Sequence, residues 1–327
     1  APAEASVSRR RLPEAAAASA PSPPDEFPGE MISTKSGRYS VLAGSGPQKL
    51  DGSYTFDATT QQVRDSKLGL VGTFSCNRLA STPLKGVVEG TVDGNERVPV
   101  ISITDSEIMA EIQNGENEGA FFMLPSQFNG AEYPDFNEVI TRLEDYRYDN
   151  TGGPRGQLAA HPAPAQFIID NAACRGRPDG INAVKDVVRK LQEKGLNFNL
   201  VNGYLAVPAV TSGSEGQVYD ILKANLHSLR MLVMSGVPAS GLTPDKRGLS
   251  KATHMVNLIY ASAVPVQAYM NMGGSDAKAV QTEVATLLAT AQYYGAMKHA
   301  ALSGPGKKKV YLMPLGGGVF NNTWESI

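Results

Sequence analysis

The chain has 327 residues, a hydrophobic content of 42% and a nearly balanced charge, with 30 Lys and Arg against 32 Asp and Glu. That length suffices for one large core or two small ones. A formal charge of −2 gives no electrostatic reason to expect nucleic acid as a partner, and no apolar run reaches the ~18 residues of a membrane span. We therefore expect a soluble protein that binds neither.

Residues 1–38 differ from the rest in composition. They are rich in Ala, Pro and Ser, with almost no large apolar residue before Phe27, so they cannot bury enough surface to offset their ordering entropy. We expect a disordered tail, through which a protein partner could bind. The run 9–11 of three arginines is typical of a transit or processing remnant, and a plain solvated tail explains it equally well. The sequence does not determine the compartment; we expect an intracellular protein, in the cytoplasm or, if the tail is a transit remnant, in an organelle.

The cysteines and histidines carry no recognisable motif. Cys76 and Cys174 are too few for a disulfide framework, and no histidine is spaced as a metal-ligand pair. We therefore predict neither a metal site nor a cofactor. Cys174 lies beside Arg175 and Arg177, a setting found around reactive thiols, but packing is the commoner role of such a cysteine. With no G-x-S-x-G motif present, a hydrolase with a Ser or Cys nucleophile has the least support.

From residue 39 onward the pattern is globular, and we interpret 39–327 as one domain. Runs of β-branched and aromatic residues bounded by turn formers predict strands at 68–74, 98–103, 120–124, 199–207, 263–269 and 309–315. Several runs are continuous rather than alternating, which is typical of strands covered on both faces.

Asp-Gly pairs at 51–52 and 93–94 favour hairpins within 39–118. Whether that region adds strands to the main sheet or forms an accessory β unit stays open.

Apolar residues at i, i+3 and i+4 predict helices between these strands, over 181–192, 218–232 and 277–302. Strands interspersed with helices indicate a layered α/β domain. We predict three α/β/α layers around a mixed, largely parallel sheet. The chain stops at Ile327, where another helix is expected to begin near Thr323, so we expect that a C-terminal helix is truncated.

Three loops at strand ends are candidate binding segments, because ligands of open α/β sheets collect beyond the carboxyl ends of strands. The first contains Gln127 and Asn129, whose amide groups can donate and accept hydrogen bonds to a sugar or an amide. A tight turn at Asn129-Gly130 explains the same residues equally well.

The second loop contains Gly152, Gly153, Arg155 and Gly156. Adjacent glycines let backbone amides approach a phosphate, and a helix opening just afterwards would add its positive end. Arg155 could pair with an anion.

The third loop is the sharpest signal, because the strand 309–315 runs directly into three glycines. It comprises Gly316, Gly317, Gly318, Val319, Phe320 and Asn321. A tight turn needs one glycine, so three indicate a backbone that approaches something closely. A flexible hinge is the alternative.

The order of these motifs resembles the macro domain superfamily, whose α/β/α fold binds ADP-ribose. The nearest likeness is to a divergent branch with SQFN and LGGGVF segments, and it covers about residues 119–327. The resemblance implies that Asn129 lies near the distal ribose and that Gly152, Gly153 and Gly156 form one diphosphate loop. It also implies that 316–320 forms the second loop, with Phe320 against the ribose.

Two functions follow from this interpretation. The first is binding of ADP-ribose or a related nucleotide by backbone N–H groups, with hydrolysis of ADP-ribosyl groups as an open extension. We do not assign catalytic residues, because the sequence shows no carboxylate pair or His-based dyad. The second is a catalytically silent structural or interaction subunit. The two differ in whether the three loops converge on one cleft.

Overall fold

The computed structural model describes residues 31–79, 91–92, 95–96, 105–208, 215–265, 278–306, 308–317 and 322. Strands of the main sheet are β1 (Ser36–Leu42), β2 (Lys49–Asp57), β3 (Gln62–Asp65), β4 (Gly69–Arg78), β7 (Phe121–Ser126), β10 (Arg230–Pro238), β11 (Met255–Ser262) and β12 (Val310–Tyr311). Two small hairpins pair β5 (Thr91–Val92) with β6 (Asn95–Glu96) and β8 (Asn199–Val201) with β9 (Tyr204–Ala206). The helices are α1 (Ile108–Gln113), α2 (Gly152–Ala159), α3 (Pro162–Asn171), α4 (Lys185–Gln192), α5 (Glu215–Asn225) and α6 (Lys278–Leu302).

The main sheet has eight strands in the order β1-β2-β3-β4-β10-β11-β7-β12. Every pairing from β1 to β11 is antiparallel, and only β7 pairs in parallel, with β11 on one side and β12 on the other. The α/β class and the mixed sheet are confirmed, but the prediction of a largely parallel sheet is wrong. Continuous apolar runs indicate that a strand is buried on both faces, and not that its pairing is parallel. Strand β10 is buried in that way although it is antiparallel.

Helices cover both faces of the sheet. A Cβ atom placed on Gly72 of β4 would lie 2.7 Å from Met234 Sδ and 3.4 Å from Pro164 Cγ of α3, so Met234 faces α3. A Cβ atom on Gly295 of α6 would lie 2.6 Å from Met231 Sδ. Because residues 231 and 234 of one strand point to opposite faces, α3 and α6 pack on opposite sides of β10. This arrangement agrees with three layers.

Several predicted elements are confirmed with shifted ends. Strands β4 and β7 and helix α6 lie where the sequence placed them, and the predicted run 199–207 folds as the hairpin β8–β9. Of the strand predicted at 263–269, residues 263–265 do not form a strand, since β11 ends at Ser262, and 266–269 lie outside the described residues. Strand β10 was missed because it begins inside the predicted helix 218–232, which the structure ends at Asn225.

The region 39–118 contributes β1 to β4 as additional strands of the main sheet. The hairpin predicted at 51–52 is wrong, because both residues lie within β2, whereas 93–94 does separate β5 from β6. The predicted strand 98–103 lies outside the described residues. So does most of the predicted tail, yet Met31 is buried and β1 begins at Ser36.

One contiguous hydrophobic core joins the layers, and Phe167 of α3 lies at its aromatic centre. The Phe167 ring stacks on Phe56 at a centroid distance of 4.7 Å and meets Phe74 edge-on at 5.4 Å. The core extends from Met31 to Leu315, so the described residues fold around a single core. None of the helices described is both long and apolar enough to cross a membrane.

Candidate functional site

The carboxyl ends of three adjacent parallel strands meet at one edge of the sheet. These strands are β11, β7 and β12, ending at Ser262, Ser126 and Tyr311. The segments that follow them include two of the predicted glycine loops. Ligands of open α/β sheets bind at such an edge, so this part of the molecule is the first place to look for a site.

The second and third predicted loops approach each other at this edge. A Cβ atom on Gly152 would lie 2.7 Å from Met313 Cε and 3.5 Å from Pro125 Cδ. A Cβ atom on Gly316 would lie 2.6 Å from the Cβ atom of Ala263, just beyond β11. Residues 152 and 313–316 therefore lie beside the ends of the same three strands.

The glycines of the second loop lie inside helix α2 rather than before it. A Cβ atom on Gly153 would collide with the carbonyl oxygen of Pro125, and one on Gly156 with the Leu124 side chain. The close approach that these residues permit is thus to strand β7 of the protein itself. It presses the N-terminal end of α2 against the carboxyl end of β7.

Two N–H groups are free at that helix end. Among all described residues, no hydrogen bond is donated by the Gly152 or Gly153 N–H, whereas Arg155 N–H donates to Thr151 O at 3.2 Å. The preceding turn is fixed, because Asp149 Oδ1 accepts from both Thr151 N and Thr151 Oγ1 at 2.7 Å. Free N–H groups and the positive helix end favour an anion.

The Lys246 side chain stabilises the same turn through hydrogen bonds. Its Nζ atom donates to the carbonyl oxygens of Arg147 and Asp149 at 2.9 and 2.8 Å. Burial lowers the pKa of Lys246, with the nearby charge of Arg155 contributing in the same direction. Arg155 itself pairs with Glu107 at 2.8 Å, so its predicted role as an anion partner would require that ion pair to open.

The third loop leaves the sheet through a fixed segment. The Tyr293 hydroxyl of α6 donates to Met313 O and accepts from Leu315 N–H, each at 2.8 Å. Gly316 has φ +77°, which favours glycine, and its carbonyl oxygen accepts from Asn322 N–H at 3.0 Å. Gly317 is exposed. The predicted ligand residues Gly318, Val319, Phe320 and Asn321 lie outside the described residues.

The first predicted loop is a buried turn. Asn129 is 0% exposed, its Nδ2 donates to Ala173 O at 2.8 Å, and its Oδ1 accepts from Ala131 N–H at 3.0 Å. Gln127 is also buried and donates from Nε2 to Tyr133 O at 2.7 Å. Gly130 has φ +80°. The Asn129 amide atoms are therefore used inside the turn, and the described contacts bring the second and third predicted loops together but not the first.

Glu132, which no sequence signal marks, is an acid whose side chain lies beside the N-terminal end of α2. Its Oε2 atom lies 3.6 Å from the position of a Cβ atom on Gly153. The residue is half-buried, and its carboxyl group has no hydrogen-bonding partner among the described residues. Burial raises the pKa of Glu132 well above its usual value, and the charge of Asp149 adds to the increase.

Further unpartnered polar groups lie in this layer. Both amide atoms of Gln157 in α2 and the Tyr260 hydroxyl in β11 are buried without a hydrogen-bonding partner. The Tyr146 hydroxyl accepts from Glu132 N–H at 2.9 Å, and the charges of Glu132 and Tyr260 both affect its pKa, which burial raises. Buried polar groups are normally paired, so these unpaired groups on α2 and β11 support a candidate site at this edge of the sheet.

A concavity lies elsewhere on the molecule, over β1 to β3. It is a groove of about 820 Å³ with Arg38, Lys49, Asp51, Lys67 and Glu144 among its lining residues. Asp51 pairs with both lysines, at 2.7 and 3.2 Å. The shifted pKa values among its lining residues have structural causes, since the lysines lower that of Asp51 and burial raises that of Tyr39, which bonds to Asp65. We therefore place the candidate site at the parallel edge.

Comparisons with known proteins do not assign the chain to a family. No family model matches it, and no match was found among curated proteins or solved structures. The resemblance to macro domains therefore depends on the sequence motifs alone.

Proposed function

We propose that the protein binds ADP-ribose or a related nucleotide at the carboxyl ends of β7, β11 and β12. The diphosphate would lie between the N-terminal end of α2 and the loop that begins at Gly316. The observation that carries this proposal is the pair of free N–H groups on Gly152 and Gly153, two residues at the edge of the sheet that the third predicted loop also borders.

The charges near this end of α2 are compatible with a bound anion. Asp149 is negative, but its Oδ1 atom is occupied by Thr151, and the Lys246 ammonium group lies against the same turn. Glu132 has a raised pKa, so a larger fraction of it is neutral than of an ordinary carboxyl group. Backbone N–H groups can therefore bind a diphosphate here without a cluster of basic side chains.

Hydrolysis of an ADP-ribosyl group is an extension of this proposal. It is favoured by Glu132, since a carboxyl group with a raised pKa can deliver a proton near neutral pH. The alternative function is a silent structural or interaction subunit that keeps the fold without binding a nucleotide.

Calorimetric titration of ADP-ribose into the intact chain tests the proposal. We expect micromolar binding that Gly317→Val abolishes. Gly317 is exposed in the third predicted loop, and a branched side chain there would occupy the space proposed for the diphosphate. Gly46→Val is the matched control, since a Cβ atom at Gly46 would meet nothing within 4 Å. If the folded wild-type chain does not bind, the silent subunit is the better account.

A further inference from the structure

The Glu132 carboxyl group is placed to contact a ligand that lies on the α2 end. Its Oε2 atom lies 3.6 Å from the position of a Cβ atom on Gly153, whose N–H is free, and Glu132 as a whole residue is half-buried. The backbone of Glu132 is fixed, since its N–H donates to the Tyr146 hydroxyl at 2.9 Å. The carboxyl group therefore lies at this edge of the sheet without a hydrogen-bonding partner among the described residues.

Gln157 supplies an independent indication of a ligand. It lies four residues after Gly153, one turn along the same face of α2, and it is 0% exposed. Helical side chains extend toward the N-terminal end of their helix, so the Gln157 amide extends toward the turn of α2 that contains Gly153. Neither its nitrogen nor its oxygen has a partner. A ligand or a water there would satisfy it.

We propose that Glu132 is the specificity residue of this site, hydrogen-bonding to the hydroxyl groups of the ribose next to the diphosphate. This inference depends on the proposed function, because the ribose is positioned by a diphosphate on Gly152 and Gly153. A carboxyl group is suited to a vicinal diol, since its two oxygens match the spacing of two hydroxyl groups.

A sugar is a better occupant than a cation because of the groups that surround Glu132. Asp149 is the acid that acts on it, Tyr146 and Tyr133 are its neighbouring phenols, and Lys246 lies behind the 149–151 turn. Burial and Asp149 favour the neutral carboxyl group. A neutral carboxyl group can donate one hydrogen bond and accept others, which an ionised one cannot do.

The proposal predicts a coupling between binding and protonation. An anionic diphosphate beside Glu132 favours its neutral form, so above the pKa of the free protein the ligand must bind together with one proton. Affinity is then highest at low pH and falls by up to about tenfold per pH unit as pH rises through that pKa. The uptake appears as a dependence of the measured enthalpy on the ionisation enthalpy of the buffer.

The experiment is ADP-ribose titration from about pH 5 to about pH 9 in buffers of different ionisation enthalpy, spanning the range in which a raised carboxyl pKa would titrate. The proteins are the wild-type chain, Glu132→Gln, Glu132→Leu and the control Glu138→Gln, an exposed acid of the same loop. We expect Glu132→Gln to bind without proton uptake or the steep fall at high pH. Glu132→Leu should bind about tenfold more weakly near neutral pH, because two partners of the diol are lost.

The other possible results distinguish a failure of the Glu132 assignment from a failure of the proposed nucleotide binding. If the wild-type chain binds and Glu132→Gln keeps the same proton uptake, the assignment of Glu132 is overturned while nucleotide binding stands. Equal affinity of Glu132→Leu and wild type overturns it as well. If the folded wild-type chain does not bind ADP-ribose at any pH, both proposals fall. Thermal unfolding of each variant identifies a loss of binding that comes from a loss of structure.

Discussion

The two sides of the sheet treat their buried polar groups differently. On the antiparallel side, the Tyr39 hydroxyl donates to Asp65 and the Tyr54 hydroxyl donates to Asp170, each at 2.7 Å. At the parallel edge, both Gln157 amide atoms and the Tyr260 hydroxyl have no partner in the described structure. Unpaired buried groups cost stability, so a fold that keeps them together is expected to complete them with a ligand. We therefore interpret the antiparallel side as structural and propose the parallel edge as the binding side.

The largest expected effect is on the structural side, at Asp186. One of its oxygens accepts from Arg78 at 3.0 Å and from Arg230 at 2.9 Å, and Arg230 has a side chain only 1% exposed. Asp186→Ala leaves these buried charges without their carboxylate and should lower the free energy of unfolding by about 3–5 kcal/mol. Urea denaturation measures it, and a loss below about 1 kcal/mol would contradict this reading of the pair.

Asp186 also predicts a loss of stability in acid. Burial opposes its ionisation, but the hydrogen bond from Arg78 and the charge of Arg230 outweigh burial and lower its pKa. A lowered pKa in the folded state gives stability that is present above the unfolded value of about 4 and is lost as pH falls through the folded value. The stability of Asp186→Ala should therefore fall less steeply than that of the wild type below about pH 4.

Asn129 distinguishes a buried turn from a ligand contact. Both of its amide atoms bond inside the protein, so Asn129→Ala should lower the free energy of unfolding by about 2 kcal/mol. Its affinity for ADP-ribose, measured where the variant is folded, should change little. A large loss of affinity in a fully stable variant would instead support the role that the macro domain resemblance implies.

Glu132→Gln is expected to stabilise the protein. A carboxyl pKa raised in the folded state gives stability that is complete below the unfolded value of about 4.3 and is lost as pH rises through the folded value. The variant avoids that loss, and we expect a gain of about 1 kcal/mol near neutral pH, as is common when a functional residue is neutralised. Denaturation at several pH values should show a gain that grows with pH, whereas the control Glu138→Gln should show none.

The smallest effect is expected for Tyr39→Phe. It removes the hydrogen bond to Asp65, but Asp65 still accepts from Lys67 N–H and Leu68 N–H at 2.8 Å. A loss of about 0.5–1 kcal/mol should follow. A loss much larger than that of Asn129→Ala would show that the antiparallel side depends on single bonds more than its paired groups indicate.

The sequence predicted the layered α/β class, strands β4 and β7 and helix α6, because their apolar periodicity is strong and local. It could not predict that α2 begins at Gly152, since Gly and Pro disfavour helices. That start is set by contact with Pro125 of β7, which is a tertiary effect. Strand β10 was hidden because its apolar residues continue the helical pattern of 218–232.

The candidate site was predicted in part. The glycines at 152, 153 and 316 do lie at the parallel edge, where 152 and 153 permit close packing against Pro125. Glu132 carried no sequence signal, since its raised pKa arises from burial and from Asp149, seventeen positions away in the chain. Asn129 could be interpreted equally well as a ligand contact or a turn, and only its burial distinguishes them.

Hydrogen–deuterium exchange of the intact chain with and without ADP-ribose tests the central claim most directly, because it reports which backbone amides the ligand covers. We predict protection of the peptides that contain Gly152 and Gly153 and those that contain residues 313–317, together with the turn around Glu132. Peptides of β1 to β4 should exchange at unchanged rates. Protection confined to β1 to β4, or no protection at a concentration that saturates binding, would contradict a ligand site at the parallel edge.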